Sequence, residues 1–375
     1  MNERMRFVTR LEDGERMTDL CKEFGISRKT GYKFWNRYVL GGPDALFDES
    51  RRPAFHPGTT PDAIRQLVVD CRLKHPTWGP RKLKAVLQQK YPDLNIPAKS
   101  TIGDILKRRG LVKPRRVRRR RKACPTSLTG SEAPNQIWCA DFKGEFRLGN
   151  RKLCYPLTIS DHYSRYLLAC ESLDGTKTPP VKAVFEATFR KYGMPAIIRT
   201  DNGSPFASTG LAGLTKLSVW WLRLGIILER ISPGHPEQNG RHERLHLTLK
   251  QDTIRPAAHN FLQQQAKFDR FQDEYNQARP HESLEMRRPI EVFTTSCKRF
   301  PESLTVPEYP LHDITKTVRK DGSISFGRKK VCYIGAALAG ERIGLREVRD
   351  YYWLVSFLDR KLCYIDERIG KVVDS

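Results

Sequence analysis

Residues 115–122 read Arg-Arg-Val-Arg-Arg-Arg-Arg-Lys, seven cations in eight positions. Like charges at that density repel one another and cannot be packed into an apolar interior. No single core can run through this point, so the chain is expected to fold as separate units on either side. The run itself reads as a basic linker, 113–129, with Arg115, Arg116, Arg118, Arg119, Arg120, Arg121 and Lys122 well placed to track phosphates. It is part of a wider excess: 67 Lys and Arg stand against 42 Asp and Glu, a formal net charge of +25. That balance is easiest to hold when the usual partner is a polyanion. Nucleic acid suits it better than a membrane, because the sequence offers no long apolar run and no basic amphipathic helix with an apolar face. The opening MNERMRFVTR lacks the apolar stretch of a secretory signal, which makes the cytoplasm the expected location. Nine cysteines at wide spacing, with no CxxC pair, argue against a disulfide scaffold or a zinc ribbon and for small buried thiols.

Ahead of the basic run, apolar residues recur at helical spacing. Residues 1–40 predict three helices: 3–12, stopped near Asp13-Gly14; Thr18, a possible N-cap, to Phe24; and Ser27, a good N-cap, to Tyr38. Gly25 supplies the turn between the last two, which makes the layout helix–turn–helix. Gly31, Phe34, Trp35 and Tyr38 would face the core. Arg28, Lys29, Tyr32, Lys33 and Asn36 share the opposite face, where a recognition helix carries its groove contacts; a plain solvated face has the same pattern. Residues 41–60, rich in Gly, Pro and charge, read as a linker. From 61 to 112 three more periodic segments predict a second helix–turn–helix, with or without a wing, and Pro80 sits where a first helical turn tolerates it.

Beyond the run, residues 130–295 change period. Strands are expected over QIWCADFKGEFRL, KLCYPLTIS, SRYLLACESL, AIIRTD and IILERIS. Helices are expected over PPVKAVFEATFRKYG, LTKLSVWWLRLG, 240–252 and 258–278. This is an α/β layered pattern. Residues 305–375 turn to five short strands with a hairpin signal at Asp321-Gly322, which suggests a small β-barrel for DNA or protein contact. The predicted architecture is therefore multidomain: two helical modules, an α/β core and a C-terminal small β-barrel.

Three acids stand out in the α/β segment. Asp141 interrupts the first core strand, where Trp138, Ala140 and Phe142 share one face and Cys139, Asp141 and Lys143 the other. Asp201 ends AIIRTD beside Asn202-Gly203, the strand end at which α/β proteins place chemistry. Glu243 falls in the first turn of a helix that starts near Arg241, where the helix end favours an anion. Gathered carboxylates repel one another until hard cations arrive, and phosphodiester transfer uses two such ions to activate one oxygen and stabilise another. The same residues have plain structural uses, Asp201 as a turn cap and Glu243 as a helix-end charge.

Trp138-Cys139-Ala140-Asp141-Phe142, Thr200-Asp201-Asn202-Gly203-Ser204-Pro205-Phe206 and Pro233-Gly234-His235-Pro236-Glu237-Gln238-Asn239-Gly240-Arg241-His242-Glu243, in this order, resemble the DDE integrase core of insertion-sequence transposases and retroviral integrases. The segments 160–166 and 275–284 resemble its other recurring pieces, and His75-Pro76-Thr77-Trp78-Gly79 resembles the paired helix–turn–helix arms of bacterial transposases. The resemblance implies an RNase H-like core with Asp141, Asp201 and Glu243 as catalytic metal ligands. It implies Mg²⁺ or Mn²⁺, two ions per site, and two successive phosphoryl transfers, cleavage at the element's terminal inverted repeats and joining of the freed 3′-OH to target DNA. Holding two ends together further implies a homo-oligomer on double-stranded DNA. His235, Gln238, Asn239 and Arg241 match the loop that meets the element end, and Lys250 shares a helix face with Glu243. Forty-two positions separate Asp201 from Glu243, more than is usual in retroviral integrases. The extra length falls near 208–223, read as an added helix, and it leaves Glu237 as a competing third acid. Asp161 is read as a structural hydrogen-bonding residue. A DNA-binding regulator without catalysis and a nuclease that only hydrolyses are the alternatives.

Overall fold

In the computed structural model, residues 2–48, 58–112, 128–232, 238, 240–326 and 330–373 are described. The chain divides at Pro61 into two units, Met1–Pro61 and Asp62–Ser375. In the first, α1 (Asn2–Glu12), α2 (Met17–Glu23) and α3 (Arg28–Gly41) bury Phe7, Val8, Leu20 and Cys21 among them, with Phe34, Trp35 and Tyr38 packed against that cluster. Ser27 caps α3 by accepting from the Thr30 N–H at 3.2 Å. Gly31 is required: a Cβ there would stand 2.7 Å from the sulfurs of Cys21 and Met17, so only a glycine lets α2 and α3 cross. Thr18 does not cap α2. Arg16 takes that position in extended backbone, and Thr18 lies inside the first turn.

The second unit begins with α4 (Asp62–Lys74), α5 (Pro80–Lys90) and α6 (Lys99–Arg108) around Val68, Trp78, Leu83, Leu87 and Ile102. No strand lies between α6 and the first core strand among the described residues, so no wing is seen there. The module docks onto the core that follows. The His75 ring stacks on Trp78 at 3.8 Å and its Nδ1 meets Glu274 at 2.8 Å, Arg81 pairs with Glu282, and Ala278 packs against the module's apolar cluster.

That core is one mixed sheet. Strands β1 (Ile137–Phe142), β2 (Phe146–Arg147), β3 (Leu153–Asp161) and β4 (Leu167–Leu173) are followed by α7 (Thr178–Tyr192), β5 (Ile197–Thr200), α8 (Lys216–Arg223) and β6 (Ile227–Arg230). The strand order is β2-β3-β1-β5-β6, with β4 also on β3. β3 runs antiparallel to β1 and β4, whereas β1, β5 and β6 run parallel. One face is covered by α7 and α8, which bury Phe185, Phe189, Leu217 and Trp221 against Trp138, Ala140 and Ile198. The other is covered by α9 (Gly240–Leu249) and α10 (Phe261–Asp273), whose Leu245, Leu249, Phe268 and Phe271 meet Cys154, Leu167 and Cys170. Both helices are prolonged by π-helical turns, 250–254 and 274–278, where the periodicity alone reads as continuous helix.

The added helix does form, as α8, and it serves two cores. Its Leu217, Trp220 and Trp221 face the sheet, while Val219, with Leu214 just before the helix, belongs to the C-terminal cluster. The C-terminal strands are β7 (Ile314–Thr317), β8 (Ser323–Phe326), β9 (Lys330–Tyr333), β10 (Arg342–Arg349), β11 (Tyr352–Phe357), β12 (Arg360–Asp366) and β13 (Lys371–Val373). They form a five-stranded sheet, β13-β12-β11-β10-β7, and a separate β8-β9 hairpin. The expected closed barrel is therefore corrected: among the described residues no pairing joins β7 to β13. The segment read as one strand, SISFGRKKVCYI, splits into the two hairpin strands, which share the apolar core without extending the sheet. Asp321-Gly322 does turn the chain, but it joins β7 to β8, which do not pair with each other. Six of the eight described cysteines are buried. No helix of the described residues is long and apolar enough to cross a membrane.

Candidate active site

Strand pairing brings the first two acids together. The parallel register sets Ile137 opposite Ile197 and Cys139 opposite Arg199. Asp141 and Asp201 each follow the last pair by two residues, and the Asp201 carboxylate is near enough to act on Asp141. Asp201 turns the chain just past β5: its Oδ1 accepts from the Gly203 N–H at 3.1 Å, and the Asn202 side chain donates to the Ile231 carbonyl at 2.7 Å. A Cβ on Gly203 would meet Asp201 Oδ2 at 3.0 Å, so the close approach belongs to glycine. Glu243 lies in the first turn of α9.

The acids act on one another. Asp141 is pushed up to about 7, first by burial and then by the Asp201 carboxylate, with Glu243 adding to the rise; the Phe142 backbone N–H and Lys143 pull the other way. Neighbouring acids that raise one another in this way would be relieved by a hard cation, which takes oxygen ligands.

A second group competes for the same ion. Ligating atoms of Asp141, His242 and His246 lie within 4.8 Å of one another. Their hydrogen bonds argue against a metal role for the histidines. His242 Nε2 and His246 Nε2 both lie 2.7 Å from Thr158 Oγ1, and His242 Nδ1 lies 3.2 Å from Ser160 Oγ. Burial pushes His242 down to about 3 and His246 well below its ordinary value, so both rings are neutral at pH 7. One consistent set of protons runs from the Ser160 hydroxyl to His242 Nδ1, from both His242 and His246 Nε2–H to Thr158 Oγ1, and from the Thr158 hydroxyl to the Asp141 carbonyl at 3.2 Å. His246 Nδ1 faces Asp141 Oδ2 at 3.8 Å. Nitrogens committed to hydroxyls are less free to ligate a metal and support Asp141 from behind. Sequence reasoning passed over this pair. The signal was present: His242 and His246 are spaced by four on α9, and so face the sheet together while Glu243 points to solvent.

Asp161 is buried and occupied elsewhere. Oδ1 accepts from the Asn135 N–H at 2.8 Å, and Oδ2 accepts from the Ser164 N–H and hydroxyl at 2.7 and 2.6 Å. Of the expected DNA contacts, Arg28, Lys29, Tyr32 and Lys33 lie on the exposed side of α3. Gln238 Oε1 accepts from the Ser232 N–H at 2.7 Å, which ties the loop's end to the strand before it. Arg241 donates to the His162 carbonyl at 3.3 Å, and Lys250 is exposed. Arg115, Arg116, Arg118, Arg119, Arg120, Arg121, Lys122, His235, Asn239 and the alternative acid Glu237 lie outside the described residues.

Residues 131–236 and 224–289 match two family models, each described as an integrase core domain. Residues 3–54 match a helix-turn-helix domain and 30–106 a homeodomain-like domain. The chain is 27% identical over 273 residues to the insertion element IS476 39.2 kDa protein of Xanthomonas euvesicatoria, across 71% of this chain and 74% of that protein. It is 24% identical over 250 residues to the insertion element IS407 31.7 kDa protein of Burkholderia multivorans, across 64% and 85%. Among solved structures it is similar to the HTLV-2 integrase catalytic core domain in complex with magnesium, at 15% identity and a TM-score of 0.34, across 43% of this chain and 97% of that one.

Proposed function

We infer that this chain, which belongs to the integrase superfamily together with bacterial insertion-sequence transposases, cuts and joins DNA strands at a site built from Asp141, Asp201 and Glu243. Matches to integrase core and helix-turn-helix models and to insertion-element proteins support a DNA-binding, DNA-recombining protein of the polynucleotidyl transferase type that works with divalent metal ions. The finer assignment is supported by one observation: the Asp201 carboxylate, and more weakly Glu243 in the first turn of α9, both raise the Asp141 carboxyl on β1. Asp141, Asp201 and Glu243 would hold Mg²⁺ or Mn²⁺, two ions in our reading, and a bound ion supplies Lewis-acid polarisation of the phosphodiester and acidifies the attacking hydroxyl.

The protein's own part is positioning. The paired strands fix Asp141 and Asp201 on a rigid sheet, and the His242–Thr158–His246 chain holds Asp141 from behind. In the first transfer a water oxygen bonds to the phosphorus at the element end, the P–O3′ bond breaks, and the 3′-oxygen leaves with a proton. In the second, that 3′-oxygen bonds to a target phosphorus and displaces the target's own 3′-oxygen. The terminal inverted repeats and the target are the proposed double-stranded substrates. Two ends must be held at once, so a homo-oligomer on DNA is expected.

The test is an assay with the full chain, Mg²⁺, a labelled duplex carrying the repeats that flank its reading frame, and a target plasmid. Joined product is expected. Binding with neither cut nor joined product would leave a regulator, and cutting without joining would leave a nuclease; either result overturns the proposal.

A further inference from the structure

Where the second helical module meets the core, a cavity of about 380 Å³ opens beside α9. Five cations line it: Lys82 from α5, Arg165 from the turn before β4, Arg241 and Arg244 from α9, and Arg279 from the segment after α10. Glu282 is the one carboxylate in the lining, and it is paired with Arg81. Arg279 also has Asp252 at 3.6 Å. His281 Nε2, in the same wall, is buried with no hydrogen-bond partner. Cations gathered in this excess raise one another's energy, and a buried polar nitrogen without a partner adds to it. The strain is visible at Lys82, which is pushed down to about 7 by burial and then by Arg279 and Arg244. An anion would relieve every one of these groups together.

We propose that this cavity holds a backbone phosphate of the DNA bound at the active site, clamped between the second helical module and the core. The inference rests on the reading of the chain as a DNA-recombining enzyme and adds a binding site to it. Three features point to a phosphate. Guanidinium forks and an ammonium are the groups that bind phosphate oxygens, and here they come from two folding elements that a shared anion would bridge. His281 offers a further nitrogen at the wall. Arg241 and Arg244 also leave α9 within one turn of Glu243, about 5 Å along the helix, so a strand lying at the acids passes within reach of the pocket.

The experiment uses the full chain and a labelled duplex of arbitrary sequence, with affinity followed against salt concentration. Each phosphate neutralised contributes about 0.9 to the slope of log affinity against log salt. Lys82→Gln and Arg244→Gln are each expected to weaken binding and flatten the slope. The double variant should flatten it by about one phosphate and not two, because both groups hold the same one. Wild-type slopes in all three would overturn the proposal. Arg244 is exposed on α9, so its variant tests the pocket even if Lys82→Gln undocks the module. Mass-spectrometric footprinting of Lys82 with an amine-reactive reagent gives a second readout. Protection by duplex DNA is expected. Full labelling at saturating DNA, or protection by inorganic phosphate alone and none by DNA, would refute a DNA site. The joining assay tests the acids and the salt slope tests the pocket, so the two readings can fail separately.

Discussion

Strand β1 has two faces, and they lead different lives. Trp138 and Ala140 point into a dry layer with Phe185, Phe189, Trp220 and Trp221, where nearly every contact is apolar. Asp141, one residue along and on the other face, meets Thr158 and His246, and His242 and Ser160 extend that polar group. The period-2 pleat alone separates them. A strand can therefore carry costly polar machinery without weakening its own sheet, because the apolar face supplies the stability and the polar face supplies the geometry.

The sharpest way to break that comparison is at the acids. Asp201→Ala is expected to lower joining by about 10³-fold or more while DNA binding and melting temperature stay near wild type. Wild-type joining by this variant would end the assignment. On the dry face, Trp138→Ala should cost about 3–5 kcal/mol of stability, read as a lowered denaturant midpoint, and lose activity only in proportion to unfolding. A change in metal dependence from that substitution would mean that the faces are not independent.

The polar face should betray itself by pH. His242 has its pKa lowered to about 3 in the folded state, so the unfolded chain takes up its proton first and stability is lost as pH falls below 6.5. At pH 5 that amounts to roughly 2 kcal/mol, and His242→Gln should lessen the acid sensitivity. Asp141 runs the other way. Its folded pKa of about 7 lies above the ordinary carboxylate value, so the stability it lends at low pH is lost as pH rises from about 4 through 7. Asp141→Asn should therefore raise the melting temperature at pH 8 and not at pH 4. The smallest effect is expected at Gly203→Ala. Its Cβ would press on Asp201 Oδ2 and displace it by a few tenths of an ångström, reducing joining roughly tenfold at little cost in stability.

Much of this was legible in the chain. Periodicity located the helices and core strands, because helical and pleated repeats are local and act over a few residues. The alternation through Trp138–Lys143 separated the apolar face from the acid. Ser27 announced its helix, and Asp201 beside Asn202-Gly203 announced its turn. The basic run at 115–122 suggested by charge a boundary between separate units, yet the module before it and the core after it belong to one unit, with Ala278 packed into the module's cluster. What tertiary structure decided were pairings between residues far apart in sequence, which no local pattern encodes. Asp161 could be read from the chain as a structural hydrogen-bonding residue, but its partners Asn135 and Ser164 are fixed only by the fold. His75 finds Glu274 and Lys82 finds Arg279 only once the chain has folded back on itself, so the docking of the second module and the basic pocket under it were hidden. The C-terminal strands could be counted roughly, but whether their edges meet depends on strand order and hairpin placement, and the sheet stays open. Local sequence sets what each segment can be; contact over long separations sets which segments share a site.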